Sequence, residues 1–579
     1  MFVDGALVAA AQEERYSRRK HDHAFPEAAL RDCLRMAGVG LAQVGTVVFA
    51  EKPLRTALHG RSGRPANRLA RWLGGLYDRG WWPGRRPYFP FTEACRPLLP
   101  TARIRYAWHH HAHLAAAFHS ADCERAAFLV LDGIGEDTNA SFGRVDAGRI
   151  EVLGEAHGPA GLGLFYQLLT RYLGFPSFGS EYKVMGLAPY GQPRHLQALR
   201  ALLECRPDGY TRVDFPISFR AEAMASGVRR VADVLGRPAR APGEPLDAGH
   251  ADVACSLQAL FEERFLAMAR HVRQQSGLPD LVVAGGCAQN CVALGRLRQQ
   301  ALFERVHVSA ASSDMGDALG AALLHLRESG TLRQRRIGDR GWYLGCEPGA
   351  MPDAAQPHEV AVVALDDQVA RLLAAGQIVG WCDGRMELGA RALGARSILA
   401  DARVPDMQSR LNLAVKFREG FRPFAPMILE AHAADWFECA QPSRYMQFVD
   451  WLKPERRLPV KSTAGETDWR ARLAAPRCEI PSVVHVDHSA RLQTIHPDVH
   501  PQMHRLLSAF HALTGVPLLI NTSFNVSGEP IVRTAADAWQ SFIHTDIDWL
   551  VCGGRLYANP RALSREEKRA WVDGFAASA

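Results

Sequence analysis

The chain has 579 residues, 47% of them hydrophobic, which is enough for more than one domain with its own core. The formal net charge is +7 and the pI is near 8.8, with charges dispersed apart from short clusters near Arg15 to Lys20 and Arg64 to Arg71. This excludes a long nucleic-acid arm and suits small anionic substrates.

The opening Met1-Phe-Val-Asp-Gly5 has neither the basic nor the apolar region of a secretory signal, and Asp4-Gly5 is a hairpin-turn signal. No apolar run reaches the roughly twenty residues needed to span a membrane. The expected location is the cytoplasm, with the 12 scattered cysteines reduced and structural. Cys287 and Cys291 are the nearest pair, and they lack the second pair of a zinc site. The stretch from Gly60 to Tyr88, rich in Arg, Gly, Trp and Pro, is expected to be a solvated loop.

From Trp108 the chain reads Trp-His-His-His-Ala-His-Leu-Ala-Ala-Ala-Phe-His119, a strong helix former. His109 and His113 are then i and i+4 on one helical face, a good bite for one metal ion. A histidine-rich helix start without a ligand role is the alternative. Ala126 to Leu131 predicts a strand, followed by Asp132-Gly-Ile-Gly-Glu-Asp137. Gly133 and Gly135 allow backbone amides to approach phosphate oxygens, and Asp132 offers a hard oxygen ligand. A glycine turn with a capping aspartate reads equally well.

In Glu181-Tyr-Lys-Val-Met-Gly-Leu-Ala-Pro-Tyr-Gly191, Lys183 suits a phosphate, Glu181 a ribose hydroxyl and Gly186 a close nucleotide approach, against a plain surface salt bridge. Leu281-Val-Val-Ala-Gly-Gly-Cys-Ala-Gln-Asn290 runs from a strand through Gly285 and Gly286 toward a helix at Asn290, and residues 312–320 carry another Asp-x-Gly loop around Asp314. Repeated strand, glycine loop and helix units predict an α/β nucleotide-binding architecture. No G-x-x-x-x-G-K-[ST] motif is present, so this is not a P-loop enzyme.

A boundary is expected where Cys346-Glu-Pro-Gly-Ala-Met-Pro and Gln356-Pro357 form a linker. Beyond it, Val415-Lys-Phe-Arg-Glu-Gly-Phe-Arg-Pro-Phe-Ala-Pro426 sets Lys416 and Arg418 two apart, on one face if the segment is a strand, with Arg422 following. Phe417, Phe421 and Phe424 favour a partly buried setting, where a bound anion would offset the cost of unpaired charge. A solvated basic edge is the alternative. Val516 to Ile520 predicts a buried strand that opens onto Asn521-Thr-Ser-Phe-Asn-Val-Ser-Gly-Glu-Pro530. Its hydroxyls, amides and glycine can surround a phosphate or acyl phosphate; an ordinary polar turn is the bland reading.

Together, residues 181–191, 284–291, 384–399, 416–426 and 521–530 resemble, in that order, the NodU/CmcH family of O-carbamoyltransferases, and the similarity runs from about Asp4 to about Asn559. The resemblance implies an α/β chain in which an actin-like (ASKHA, TsaD-like) ATPase domain over residues 1–345 is joined by a linker, 346–357, to a YrdC-like α/β domain over 358–579. It implies a metal held by His109, His113, Asp132 and Asp314, with iron(II) or another divalent ion there and Mg2+ accompanying ATP. Nucleotide contacts are expected from Asp132, Gly133, Gly135, Glu181, Lys183, Gly186, Gly285, Gly286 and Asn290, and in the second domain from Ser523 and Asn525.

The implied chemistry has two steps. Carbamoyl phosphate and ATP give carbamoyladenylate, with Arg391, Arg396, Lys416, Arg418 and Arg422 neutralising charge; the carbamoyl group then passes to a hydroxyl of a small molecule or oligosaccharide. Neither nucleic acid nor membrane is an expected partner. Three departures stand out. The family's opening strand with its His-Asp pair is missing before Met1, so the start codon is expected to have been assigned too late. Trp108 replaces a common acidic residue, and Asp137 a common aromatic one. Rival readings are threonylcarbamoylation of tRNA and a non-catalytic nucleotide-binding scaffold.

Overall fold

A computed structural model of the chain describes residues 1–52, 90–158, 160–175, 179–206, 208–334, 336–338, 342–439, 441–459, 472–473 and 475–576. The expected loop from Gly60 to Tyr88 lies outside the described residues. The chain is mixed α/β and divides into two units, residues 1–8 with 34–338 and residues 9–33 with 339–579. Residues 9–33 thus belong with the second unit, a membership that chain order does not announce.

In the first unit, β1 (Phe2–Val3) pairs with β2 (Ala6–Leu7) in an antiparallel hairpin. Asp4 and Gly5 turn it with φ of 48° and 78°, the left-handed pair that an Asp-Gly turn supplies. The Ala-rich stretch forms α1 (His109–Phe118). It is followed by β3 (Arg125–Gly135), β4 (Thr138–Asp146) and β5 (Arg149–His157). Then come α2 (Glu181–Leu187), α3 (Ala248–Ser276), β6 (Asp280–Ala284), α4 (Cys291–Gln299), β7 (Arg305–His307) and α5 (Asp317–Glu328).

These strands form a five-stranded sheet in the order β7-β6-β3-β4-β5. β7, β6 and β3 are parallel, and β4 and β5 are antiparallel additions. Ala126 to Leu131 is buried throughout, as expected of a strand covered on both faces. Leu114, Phe128, Val130, Val282 and Ala284 pack together in its core. At about 1.5–3 kcal/mol for each large apolar side chain, this burial holds α1 against the sheet. The carboxyl ends of β3 and β6 therefore open beside the first turn of α1, the place where α/β sheets bind ligands.

In the second unit the elements are β8 (Glu359–Val360), α6 (Leu365–Ala374), β9 (Val379–Cys382), β10 (Arg396–Ala400), β11 (Ala425–Leu429) and β12 (Gln493–Ile495). α7 (Pro501–Thr514), β13 (Leu518–Ser523), α8 (Ala535–Ile543), β14 (Trp549–Cys552) and β15 (Arg555–Ala558) complete it. The eight-stranded sheet has the order β8-β15-β14-β9-β10-β13-β11-β12. Trp381, Leu399, Phe424, Phe510 and Leu518 lie in one core around it.

The basic segment is not the strand that its alternation suggested. Leu411–Val415 winds as a π-helical turn, Lys416 follows it in helical conformation, and Phe417 is left-handed with φ 50°. Wide turns of this kind recur at functional sites. Here it separates Lys416 from Arg418 instead of aligning them on one face.

Candidate functional site

In the first unit, α1 and the strand ends converge on a cluster of four ligand atoms. His109, His113, Asp132 and Asp314 each offer one atom within 4.8 Å of the others. His109 Nε2 lies 3.3 Å from Asp132 Oδ2 and 3.6 Å from Asp314 Oδ1, and His113 Nε2 lies 3.9 and 3.7 Å from the same two oxygens. The i, i+4 spacing thus sets both imidazoles over the end of β3.

Their other atoms are held from behind. Gly286 N donates to Asp132 Oδ1 at 2.9 Å. His109 Nδ1 lies 3.1 Å from Ala50 O and 3.3 Å from Asp317 Oδ2. His113 Nδ1 is 2.7 Å from Asp317 Oδ1, close but not aligned as a hydrogen bond. Burial is the largest single effect and opposes the His113 cation, but the carboxylates of Asp317 and Asp132 together push the imidazole up to about 10. Burial likewise opposes the Asp132 charge, yet the two histidines hold the carboxyl well below its usual range.

Two imidazoles and two carboxylates, backed by a shared carboxylate, fit a divalent cation, which would replace those protons. Asp314 is 68% exposed and leaves the cluster open on one side, as reactive metal sites are.

The glycines are required sterically. A Cβ on Gly135 would stand 2.2 Å from His109 Cδ2, and one on Gly286 would meet Asp132 Oδ1 at 2.9 Å. Gly285 has φ +89° and lies against Leu131 O. Gly133 faces the half-exposed ring of Phe219, whose Cζ would be 3.1 Å from an added Cβ.

Other expected contacts are engaged elsewhere. Asn290 caps α4 by accepting from Ala293 N at 3.1 Å and pairs its amide with Gln258. Lys183 stands over the Phe175 ring at 5.4 Å. Glu181 opens α2, its carboxyl raised by burial, and Gly186 lies inside the same helix.

In the second unit, Lys416 is 3% exposed and donates to Ser523 O at 2.6 Å and to Asn525 O and Oδ1 at 2.7 Å each. Burial holds its ammonium well below the usual lysine range, and Arg418 and Arg422 add to the effect. Arg418 donates from Nε to Asn412 Oδ1 at 2.6 Å and lies 4.6 Å above the Phe424 ring. Arg422 approaches Glu419 at 3.6 Å. Asn525 Nδ2 donates to Glu529 O at 2.6 Å, closing the loop on itself.

Arg391 sits half-buried in the 384–399 segment. Arg396 is fully buried, and its guanidinium donates to the carbonyls of Arg533, Gly384, Ala395 and Cys346 at 2.9–3.0 Å. Four of its five N–H donors thus clamp the loop.

Two family models match the chain. Carbamoyltransferase N-terminus matches residues 1–323, and Carbamoyltransferase C-terminus matches residues 370–559. The chain belongs to the carbamoyltransferase family. An uncharacterized protein of Synechocystis sp. is 37% identical to this carbamoyltransferase over 607 aligned positions, covering 99% of this chain and 97% of that one. Nodulation protein NolNO of Sinorhizobium fredii is 32% identical, covering 97% and 79%, and nodulation protein NolO of Bradyrhizobium diazoefficiens is 35% identical, covering 77% of each. Among solved structures, T.kodakarensis HypF overlaps 43% of this chain and 40% of its own at 15% identity, with a TM-score of only 0.23.

Sequence reasoning missed several residues of this carbamoyltransferase. Asp317 backs both histidines, and the spacing Asp314-Met-Gly-Asp317 at a helix start was its signal. Glu136, buried and accepting from His109 N at 3.1 Å, carried no signal beyond its glycine-rich turn. Arg15 and Arg18 lay in the noted cluster at Arg15 to Lys20, and only the fold shows what they touch. No helix among the described residues is long and apolar enough to cross a membrane.

Proposed function

We propose that this carbamoyltransferase is an ATP-dependent O-carbamoyltransferase whose units divide the reaction, an actin-like first unit and a YrdC-like second one. In the second unit, water cleaves carbamoyl phosphate to carbamate and inorganic phosphate, an oxygen of the carbamate attacks the α-phosphorus of ATP, and pyrophosphate leaves with the electrons of the broken P–O bond. The product is carbamoyladenylate. In the first unit, an acceptor hydroxyl oxygen attacks the carbamoyl carbon, its proton passes to a base, and AMP departs with the electrons of the broken C–O bond.

The observation that carries this reading is Lys416. A buried ammonium flanked by Arg418 and Arg422 gathers positive charge against the 523–525 loop, and a phosphate or carbamate oxygen is the chemistry that would offset it. Asn525 and Ser523 hold that loop in place, and Arg391 supplies a further cation. Arg396 keeps the adjoining loop in shape.

In the first unit, His109, His113, Asp132 and Asp314 would hold a divalent cation, iron(II) by family resemblance. When bound it would supply Lewis-acid polarisation of the adenylate phosphate. Asp317 and Gly286 orient the ligands, and the backbone at Gly133, Gly135 and Gly285 would offer its amides to the nucleotide phosphates. The acceptor would be a hydroxyl on a natural product or (lipo)oligosaccharide.

The test is donor dependence. Pyrophosphate release from ATP should require carbamoyl phosphate and not respond to threonine with bicarbonate. Release driven by threonine and bicarbonate would move the chain to threonylcarbamoyl chemistry, and ATP binding without release under either donor would leave only a scaffold.

A further inference from the structure

Arg15 is an anomaly of the second unit. It comes from a short helix, Glu14–Ser17, in the 9–33 segment, yet its side chain is 0% exposed. Nη2 donates to Gly389 O at 2.8 Å, but Nε and Nη1 have no hydrogen-bond partner. Burying a guanidinium with donors unmet is costly, because each donor forfeits its bond to water.

The same loop carries the complement. Glu387 is 1% exposed; its Oε1 accepts from Leu393 N at 2.7 Å and Arg396 N at 3.3 Å, while Oε2 has no partner. Asn521, also 1% exposed, donates to Ala392 O of this loop at 3.1 Å and leaves Oδ1 unpartnered. Burial lowers the Arg15 guanidinium, and Glu387 is the strongest charge supporting it. Unmet donors and unmet acceptors therefore coexist around one buried loop.

A phosphate would satisfy the donors and repel Glu387. A carbamoyl group satisfies both, since its carbonyl oxygen accepts and its NH2 donates. We infer that Arg15 and Glu387 recognise the carbamoyl end of the donor, Arg15 through the carbonyl oxygen and Glu387 through the amide N–H, with Asn521 Oδ1 placed for the second N–H. Residues 9–33 would then be part of the donor site and not merely a connector. Arg18 fits this role, since it donates to Glu529 Oε1 at 2.5 Å and Ile531 O at 2.9 Å and so ties the same helix to the end of the 521–530 loop. The inference rests on the reading of the second unit as the maker of carbamoyladenylate.

Calorimetric titration of the full chain with phosphonoacetamide, a non-hydrolysable methylene analogue of carbamoyl phosphate, and with acetonylphosphonate, its methyl ketone counterpart, tests it directly. The unaltered protein should bind the amide about tenfold or more tightly than the ketone. Arg15→Met should weaken amide binding by about ten- to a hundredfold and leave ATP affinity unchanged. Should Arg15→Met fail to fold, Arg15→Lys, which keeps the charge but not the fork, should show the same loss. Glu387→Gln retains an oxygen for Leu393 and Arg396 and should bring the amide-to-ketone ratio close to one. Equal binding of amide and ketone by the unaltered protein, binding of neither, or variants that bind the amide normally would each overturn the inference. Failure of the wider reading shows separately, as absence of carbamoyl-phosphate-dependent pyrophosphate release from unaltered enzyme that still discriminates amide from ketone.

Discussion

Lys416 and Asn525 are joined twice, since the ammonium donates to both the main-chain oxygen and Oδ1 of Asn525 at 2.7 Å. With Ser523 O at 2.6 Å, three oxygens meet the three donors of a lysine. Those oxygens satisfy hydrogen bonds without neutralising the charge, and none of them belongs to a carboxylate. The contact therefore shapes the loop and leaves positive potential beside it.

Lys416→Met should lower carbamoyl-phosphate-dependent pyrophosphate release by about 10²-fold or more, the scale of losing a preorganised charge. The fold should persist with a modest loss of stability, because the change removes a buried charge but leaves oxygens of Ser523 and Asn525 without this donor. Lys416→Arg should not restore activity, since a planar fork cannot reproduce a three-way fan of donors. Pyrophosphate assays beside thermal melts check both statements.

His113→Ala should abolish metal retention by the first unit, and Asp317→Asn should reduce metal affinity by about 10- to 100-fold through loss of its support for His109 and His113. Elemental analysis of the purified variants measures this. Chelation followed by removal of the chelator and return of Mg2+ alone should likewise stop transfer to the acceptor while sparing pyrophosphate release.

Gly135→Ala tests the steric construction of the same site. Its Cβ would stand 2.2 Å from His109 Cδ2, so the imidazole must swing away from Asp132. Metal affinity should fall, and unfolding should be easier by about 1–3 kcal/mol. Gly420→Ala, with nothing within 4 Å of its added Cβ, is the matched control.

A pH dependence follows from His500, which caps α7 by accepting from Met503 N and which burial pushes down to about 4. Its folded value lies below the ordinary value of about 6.5, so between these limits the unfolded chain binds a proton that the folded chain refuses. This contribution to stability should therefore be complete above pH ~6.5 and be lost as the pH falls toward ~4, by an amount on the order of 3 kcal/mol. Urea midpoints for His500→Asn, which keeps a capping oxygen, should vary less over that range than those of the unaltered protein.

Much of the first unit was legible in the sequence. Apolar runs gave β3 and β6, the Ala/Leu run gave α1, and helical spacing put His109 and His113 on one face, while a ligand role for them rested on the family resemblance. Asp4-Gly5 likewise dictated its hairpin. The second unit was less legible because its key geometry is irregular. A π-helical turn and a left-handed Phe417 have no periodic signature, so the two-residue spacing of Lys416 and Arg418 does not reveal the turn between them. Arg396 looked like its neighbour Arg391, and only burial against four carbonyls distinguishes a clamp from a substrate contact. Arg15 was least visible, because its partners lie 374 residues away.

The division of labour is tested most directly by 31P NMR of the His113→Ala variant incubated with ATP and carbamoyl phosphate. The two-step mechanism predicts inorganic phosphate, pyrophosphate and an accumulating carbamoyladenylate resonance. Formation of ADP in place of pyrophosphate, or no cleavage of ATP while carbamoyl phosphate is consumed, would contradict it.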